Sequence, residues 1–292
     1  MTTLALTLVL SSALLHAVWN LLYKRARDKP SFAFLFGVVA TVVYLPVFLL
    51  LVGNQELSWR GLAVAILSAF VHTLYFTFLG RGYSVGDLSL VYPLARGTGP
   101  LLVPIWAILF LGERISPTGL AGILAVVGGV YILHIRELSP RGLMGPLRSL
   151  SSRPTQIAIL SGLLISIYTV VDKVGVGYLE PMVYMYIWTA IYTTMYGPYV
   201  LKTSGVAKIR AEWSANAWAI VAVGILMVLT YTMVLFAMTM SNVSYVAAAR
   251  EIAVVFGAAM GTVMLKERYG RSKVGGSLLI ALGVALIGLA RS

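Results

Sequence analysis

Residues 2–23, 31–55, 61–80, 115–135, 154–171, 181–201, 214–249 and 274–290 contain no Asp, Glu, Lys or Arg. A helix needs about 20 apolar residues to cross the roughly 30 Å hydrocarbon core of a bilayer. Stretches of that length recur from one end of this chain to the other. With 59% hydrophobic and 11% charged residues in 292, no soluble domain is a candidate, and the chain is predicted to be a polytopic helical membrane protein.

Where charge does enter the apolar runs, it is costly. Ser89 to Arg114 would lie in lipid but for Arg96, and an arginine at mid-bilayer costs roughly 2.5–3.5 kcal/mol on insertion scales, so it must face protein or water. The device repeats: Arg250 precedes Glu267-Arg268 by the spacing that separates Arg96 from Glu113-Arg114. Pro93, Gly97, Gly99, Pro100 and Pro104 crowd around Arg96. Proline removes an amide donor and clashes with the preceding turn, so this span is predicted to be kinked or interrupted beside the charge.

The pattern gives ten spans: 2–23, 31–52, 61–79, 89–111, 117–134, 155–175, 181–201, 213–240, 244–265 and 273–290. Five lie on each side of a polar linker rich in Arg, Ser, Gly and Pro, dividing the chain into repeat 1–135, linker 136–153 and repeat 154–292. Shifting by 149 places Ser12 on Ser161, Trp19 on Tyr168 and Lys24 on Lys173. Shifting by 154 places Arg96 on Arg250, Gly122 on Gly276 and Gly129 on Gly283. Five is odd, so the second copy enters the membrane upside down. The predicted fold is all-α, with ten transmembrane helices in two inverted five-helix repeats, an architecture of secondary transporters with a midplane site. In the fifth span Ala121, Ala125 and Gly129 are read as a close-packing face, and the second as lipid-facing wall.

A net charge of +12 does not call for nucleic acid. Alternate loops hold Lys24, Arg25, Arg27 and Lys29, then Arg81, then Arg136, Arg141, Arg148 and Arg153, then Lys202, Lys208 and Arg210, then Lys266, Arg268, Arg271 and Lys273. Such one-sided loops mark the cytoplasmic face, which predicts both termini outside a cell (inner) membrane. Nothing basic precedes the first apolar run, so that span is expected to be kept rather than cleaved. Cysteine is absent, and His16, His72 and His134 show no ligand spacing; no metal or cofactor is expected. No GxSxG, HExxH or paired-aspartate motif points to an enzyme.

The candidate substrate site rests on Arg96 and Arg250, whose rigid guanidinium forks suit carboxylate or phosphate. Each could instead be held structurally by a nearby acid such as Asp172 or Glu251. His16, Trp19 and Asn20 share one face of the first span, and Tyr75, Tyr92, Tyr168 and Lys173 complete the candidate set. His16, Asp172 and Glu251 are the candidates for proton coupling, since burial and neighbouring charge both move such groups. Glu113 and Glu267, at span ends beside basic residues, are read as solvated or capping pairs.

Leu111–Leu133, LGERISPTGLAGILAVVGGVYIL, and Leu265–Leu289, LKERYGRSKVGGSLLIALGVALIGL, resemble the signature of the EamA branch of the drug/metabolite transporter superfamily. There a Leu-Gly-Glu ends the fourth helix and glycines recur along the fifth. The opening SSALLHAVWNLLYK is similar to the first helix of many members. The second copy has Lys266 at the glycine position and lacks the prolines of the fourth span. Small multidrug-resistance relatives bind cations through a first-helix glutamate, which is absent here. The resemblance implies a carrier, mostly an exporter or exchanger.

The expected function is therefore secondary active transport of a small polar, anionic or zwitterionic metabolite by alternating access. Summed over Arg96, Lys173, Arg250, Asp172 and Glu251, the buried charge is one positive in excess. The expected partners are that substrate, the lipid bilayer and protons, in a monomer or homodimer. The alternative is a flippase for a lipid or lipid-linked sugar phosphate, which needs a lateral opening to the bilayer.

Overall fold

The computed structural model describes residues 1–85, 88–135, 151–265 and 270–290, with side chains at 80–93 and 263–265 left aside. All described regular structure is helical: α1 Thr3–Lys24, α2 Lys29–Val52, α3 Trp59–Val85, α4 Leu88–Leu111, α5 Pro117–His134, α6 Arg153–Gly175, α7 Pro181–Thr203, α8 Gly205–Met240, α9 Val243–Ala249, α10 Ile252–Leu265 and α11 Arg271–Leu289. Of the predicted linker, 136–150 lies outside the described residues.

The helix starts follow from local chemistry. Pro30, Pro117, Pro154 and Pro181 sit in first turns, where the missing N–H would have had no partner. Thr2, Asp28, Ser116 and Glu180 cap α1, α2, α5 and α7 with side-chain oxygens. Gly112, at φ 66, ends α4 in the left-handed region.

Nine candidate spans are apolar and long enough by composition among the described residues. The tenth predicted span, α7, is absent from that set because Tyr184, Tyr192, Tyr196 and Tyr199 lower its hydropathy. Those rings recur on one face, mostly buried.

The helix pairings carry the symmetry. α5 packs on α11, α2 on α7, α1 on α8 and α3 on α6; exchanging the repeats maps the last two pairs onto each other. The α5–α11 seam shows the inversion residue by residue. A Cβ on Gly122 would lie 2.8 Å from the carbonyl oxygen of Gly283, and one on Gly129 would lie 2.8 Å from that of Gly276. Because Gly122 corresponds to Gly276 and Gly129 to Gly283, the two contacts are one contact seen twice, with the helices antiparallel.

Three expectations need revision. Of the predicted face of α5, Gly129 is buried in the seam, whereas Ala121 is exposed and Ala125 half-buried; the close-packing face is Gly122, Val126 and Gly129. α2 is lipid-facing only in its second half, since Phe32, Phe36 and Ala40 are buried in the core. α4 runs without interruption past its prolines, and the helical ladder instead tightens at Arg250-Glu251, between α9 and α10, where the Glu251 N–H donates to the Ala248 carbonyl at 3.0 Å and the Val254 N–H to that of Glu251 at 2.9 Å. Pro100 takes one donor from the helix ladder without preventing helical backbone from continuing.

Candidate functional site

The centre of the bundle is polar. Arg96 on α4 and Glu251 after α9 form an ion pair, Nε to Oε2 3.2 Å, with both side chains at least 91% buried. Arg250 lies over the ring of Tyr231 on α8, its guanidinium carbon 4.9 Å from the centroid, a cation–π geometry. Its Nε is buried without a hydrogen-bond partner. Arg96, Pro100, Tyr168, Thr169, Arg250 and Glu251 line one cavity. The free space in it is about 10 Å³, room for about one water. The two arginines singled out by the sequence thus share a hollow at the meeting of the repeats.

Beside it stands a second buried carboxylate. Asp172 on α6 accepts hydrogen bonds from the hydroxyls of Ser68 on α3, Tyr184 on α7 at 2.7 Å, and Tyr231 on α8. Buried charge is tolerated when its lone pairs are satisfied, and here three helices supply the donors. The Tyr231 ring that carries Arg250 on its face also turns its hydroxyl to Asp172, so cation and anion are bridged by one side chain. His72 is stacked between Tyr168, centroids 3.9 Å apart, and Trp188 at 4.2 Å. Its Nδ1 lies 2.9 Å from the Ser68 carbonyl oxygen.

His16 is buried within electrostatic reach of Arg250 and Arg96, edge-on to Trp19 at 4.5 Å. Trp19 and Asn20 are half-buried. Tyr75 packs edge-on against Tyr168 at 5.7 Å. The side chain of Tyr92 lies outside the described residues. Lys173 is placed elsewhere: its Nζ donates to the carbonyls of Met238 and, at 3.2 Å, Ser241, at the end of the bundle that carries Glu113. Consecutive helical residues point about 100° apart, which sends Asp172 inward and Lys173 to that end.

Ser68, His72, Tyr184 and Trp188 were not among the sequence candidates, and Tyr231 was read only as one of several tyrosines that supply hydroxyls. The signal was present as spacing: Ser68, His72 and Tyr75 fall at i, i+4 and i+7, and Tyr184, Trp188 and Tyr192 at i, i+4 and i+8. Among the described residues no group of three or more His, Asp or Glu could hold a metal ion. On the lipid side of α6 an apolar groove of about 490 Å³ is lined by Val64, Leu67, Trp106, Phe110, Ile167 and Val170, among others, from α3, α4 and α6.

A model of the EamA-like transporter family matches residues 3–135 and again 155–289. The chain is 38% identical over 81 residues to the multidrug resistance protein EbrB of Bacillus subtilis (strain 168), taking in 28% of this chain; it spans 64% of that relative's length. A solved structure, described as "Crystal structure of protein", is similar with a TM-score of 0.76 and 16% identity, covering 99% of this chain and 98% of that one. At that identity the likeness is one of fold.

Proposed function

The chain belongs to the EamA-like transporter family, as its Leu-Gly-Glu and glycine motifs implied, and from that premise we propose that this membrane transporter is a secondary exporter or exchanger of a small polar metabolite, anionic or zwitterionic. The observation that carries the reading is the partnerless Nε of Arg250, buried beside the Arg96–Glu251 pair in a cavity between the repeats. A substrate carboxylate or phosphate supplies the acceptor that this guanidinium lacks. Arg96 and Arg250 take the anionic group, Tyr168 lines the cavity with Tyr75 packed edge-on against it, and His16, Trp19 and Asn20 complete the site from α1. With Lys173 directed to the bundle end, the described centre holds two guanidinium groups and two carboxylates. That balance favours a zwitterion over a multiply charged anion. Asp172, Glu251 and His16 are the groups through which protons couple.

The protein lies in the cell (inner) membrane with its basic loops cytoplasmic, placing Glu113 at the outer end. The test is a thermal-shift screen of purified protein against metabolites grouped by charge, repeated with Arg96→Gln and Arg250→Gln. Anionic or zwitterionic compounds stabilise the parent protein, and Arg250→Gln abolishes the shift. Stabilisation by cations alone, unchanged in both variants, refutes the reading.

A second reading, a flippase for a lipid or lipid-linked sugar phosphate, is favoured by one observation. The apolar groove beside α6 backs onto the helix whose opposite face lines the cavity, a course along which an acyl chain could ride. Stabilisation by phospholipid and by no soluble metabolite selects it.

A further inference from the structure

Glu113 does not serve as the capping pair with Arg114 that its sequence position suggests. Its carboxylate accepts the backbone N–H of Val243 at 2.5 Å, the N–H of Ser244 at 3.2 Å and the hydroxyl of Ser244 at 2.6 Å. It therefore caps α9, a helix of the other repeat. Asn242, at the N-cap position of α9, makes no side-chain cap and donates instead to the Arg114 carbonyl at 3.0 Å. The hydroxyl of Tyr245 accepts the Ser116 N–H at 3.0 Å, and Lys173 holds the α8–α9 turn through Met238 and Ser241. This end of α9 is thus fastened to the α4–α5 turn by groups from both repeats.

The other end of α9 is Arg250. Seven residues at 1.5 Å each make a rod of about 10 Å, joined to α10 through a tightened turn at Arg250-Glu251, where the Glu251 N–H donates to the Ala248 carbonyl at 3.0 Å and the Ala253 N–H to that of Arg250 at 3.1 Å. A rod pinned at its far end carries any displacement of that end to Arg250. We infer that Glu113 is the latch closing the bundle at its own end, and that α9 is the lever through which releasing the latch moves Arg250 in the central cavity. Glu113 is then a positioning residue acting on Arg250 from the surface. The inference takes from the function proposed above only that two halves move against each other, and it is independent of the substrate.

The chain contains no cysteine, so Thr169→Cys places a lone thiol in the cavity wall. Its modification rate by a small anionic methanethiosulfonate, without substrate, reports opening. Charge-assisted hydrogen bonds are the strong ones, and losing all three in Glu113→Ala raises the rate by about tenfold. Glu113→Gln, which keeps one acceptor, gives a smaller rise and serves if the alanine variant fails to fold. Gly129→Ala, in the α5–α11 seam at the end of α5 away from Ser116, controls for general loosening and keeps the parent's rate. Equal rates in the parent and both Glu113 variants overturn the inference, as does an equal rise in Gly129→Ala. A thiol that opens normally in a protein that binds no anion leaves the latch standing and sinks the substrate assignment alone.

Discussion

Arg96 of the first repeat and Glu251 of the second meet at 3.2 Å, Nε to Oε2, with both side chains buried. Removing one member of a buried ion pair leaves the other charge uncompensated, at a cost of about 3–5 kcal/mol, whereas replacing both with neutral groups of similar volume is often close to neutral. Arg96→Met and Glu251→Gln are each expected to destabilise by about that amount. The double variant is expected to recover more than half of the loss. Unfolding in detergent measures all three, and a double variant as unstable as the sum of the singles would show that the pair is not coupled.

Asp172 distributes its stabilisation over hydroxyls from three helices. A hydrogen bond to a charged group contributes about 1.5–3 kcal/mol, so Tyr184→Phe and Tyr231→Phe are each expected to cost about that much. Asp172→Asn should cost more than either, since its amide turns donors toward groups that are themselves donating. The two phenylalanine variants differ in a second readout. Tyr231→Phe keeps the ring beneath Arg250 but releases the bridge to Asp172, so it alone should alter anion binding.

How much of this was legible in the sequence depends on the range of the physics involved. Span length, duplication and inversion were legible, because lipid imposes a length on every helix and an odd count fixes the second insertion. Arg96 and Arg250 were legible as charges that must find company. Asp172 and Glu251 were legible as the candidate acids, but which acid meets which arginine was not: nothing local to Glu251 says that it faces Arg96, on a helix more than a hundred residues away. The destination of Lys173 was settled by the position of the Ser241 turn, which depends on packing of α8. Proline marked α4 as the weak point, yet α4 runs on and the helical ladder tightens at Arg250-Glu251, in the copy without proline. His72 and Trp188 were hidden because an aromatic stripe at helical spacing is as readily core as site.

Glycine at the repeat seam and glycine beside the arginine make opposite demands. A Cβ on Gly283 would stand 2.6 Å from the Gly122 carbonyl oxygen, backbone that cannot yield like a flexible side chain, while one on Gly97 meets nothing within 4 Å. Gly283→Ala must push α5 from α11, and overpacking of this kind costs about 1–3 kcal/mol. Gly97→Ala, on the helix that carries Arg96, gains about 0.5–1 kcal/mol of helix stability. Thermal unfolding of the two variants should therefore move in opposite directions. A fall in both would mean that α4 needs a glycine for motion rather than for space.

At the bundle end opposite Glu113, Asp28 caps α2 through the Ser31 N–H at 3.0 Å, accepts the Ser31 hydroxyl at 2.6 Å, and accepts the Ser204 hydroxyl at 2.6 Å from the turn between α7 and α8. Burial by itself pushes its carboxyl up, but the bonds from Ser204 and Ser31 and the charge of Lys208 together hold it below the ordinary value. A carboxyl whose folded pKa is depressed binds protons less readily folded than unfolded. Its contribution is therefore present above the unfolded pKa, about 4, and is lost as pH falls through the lower folded value. Asparagine caps a helix about as well as aspartate, so Asp28→Asn removes the charge and keeps the cap. The variant should melt below the parent at pH 7, and the gap should close as pH falls below about 4. Melting curves from pH 7 to pH 3 decide the matter: a gap that does not narrow over that range means the tie between the repeats depends on shape, not charge.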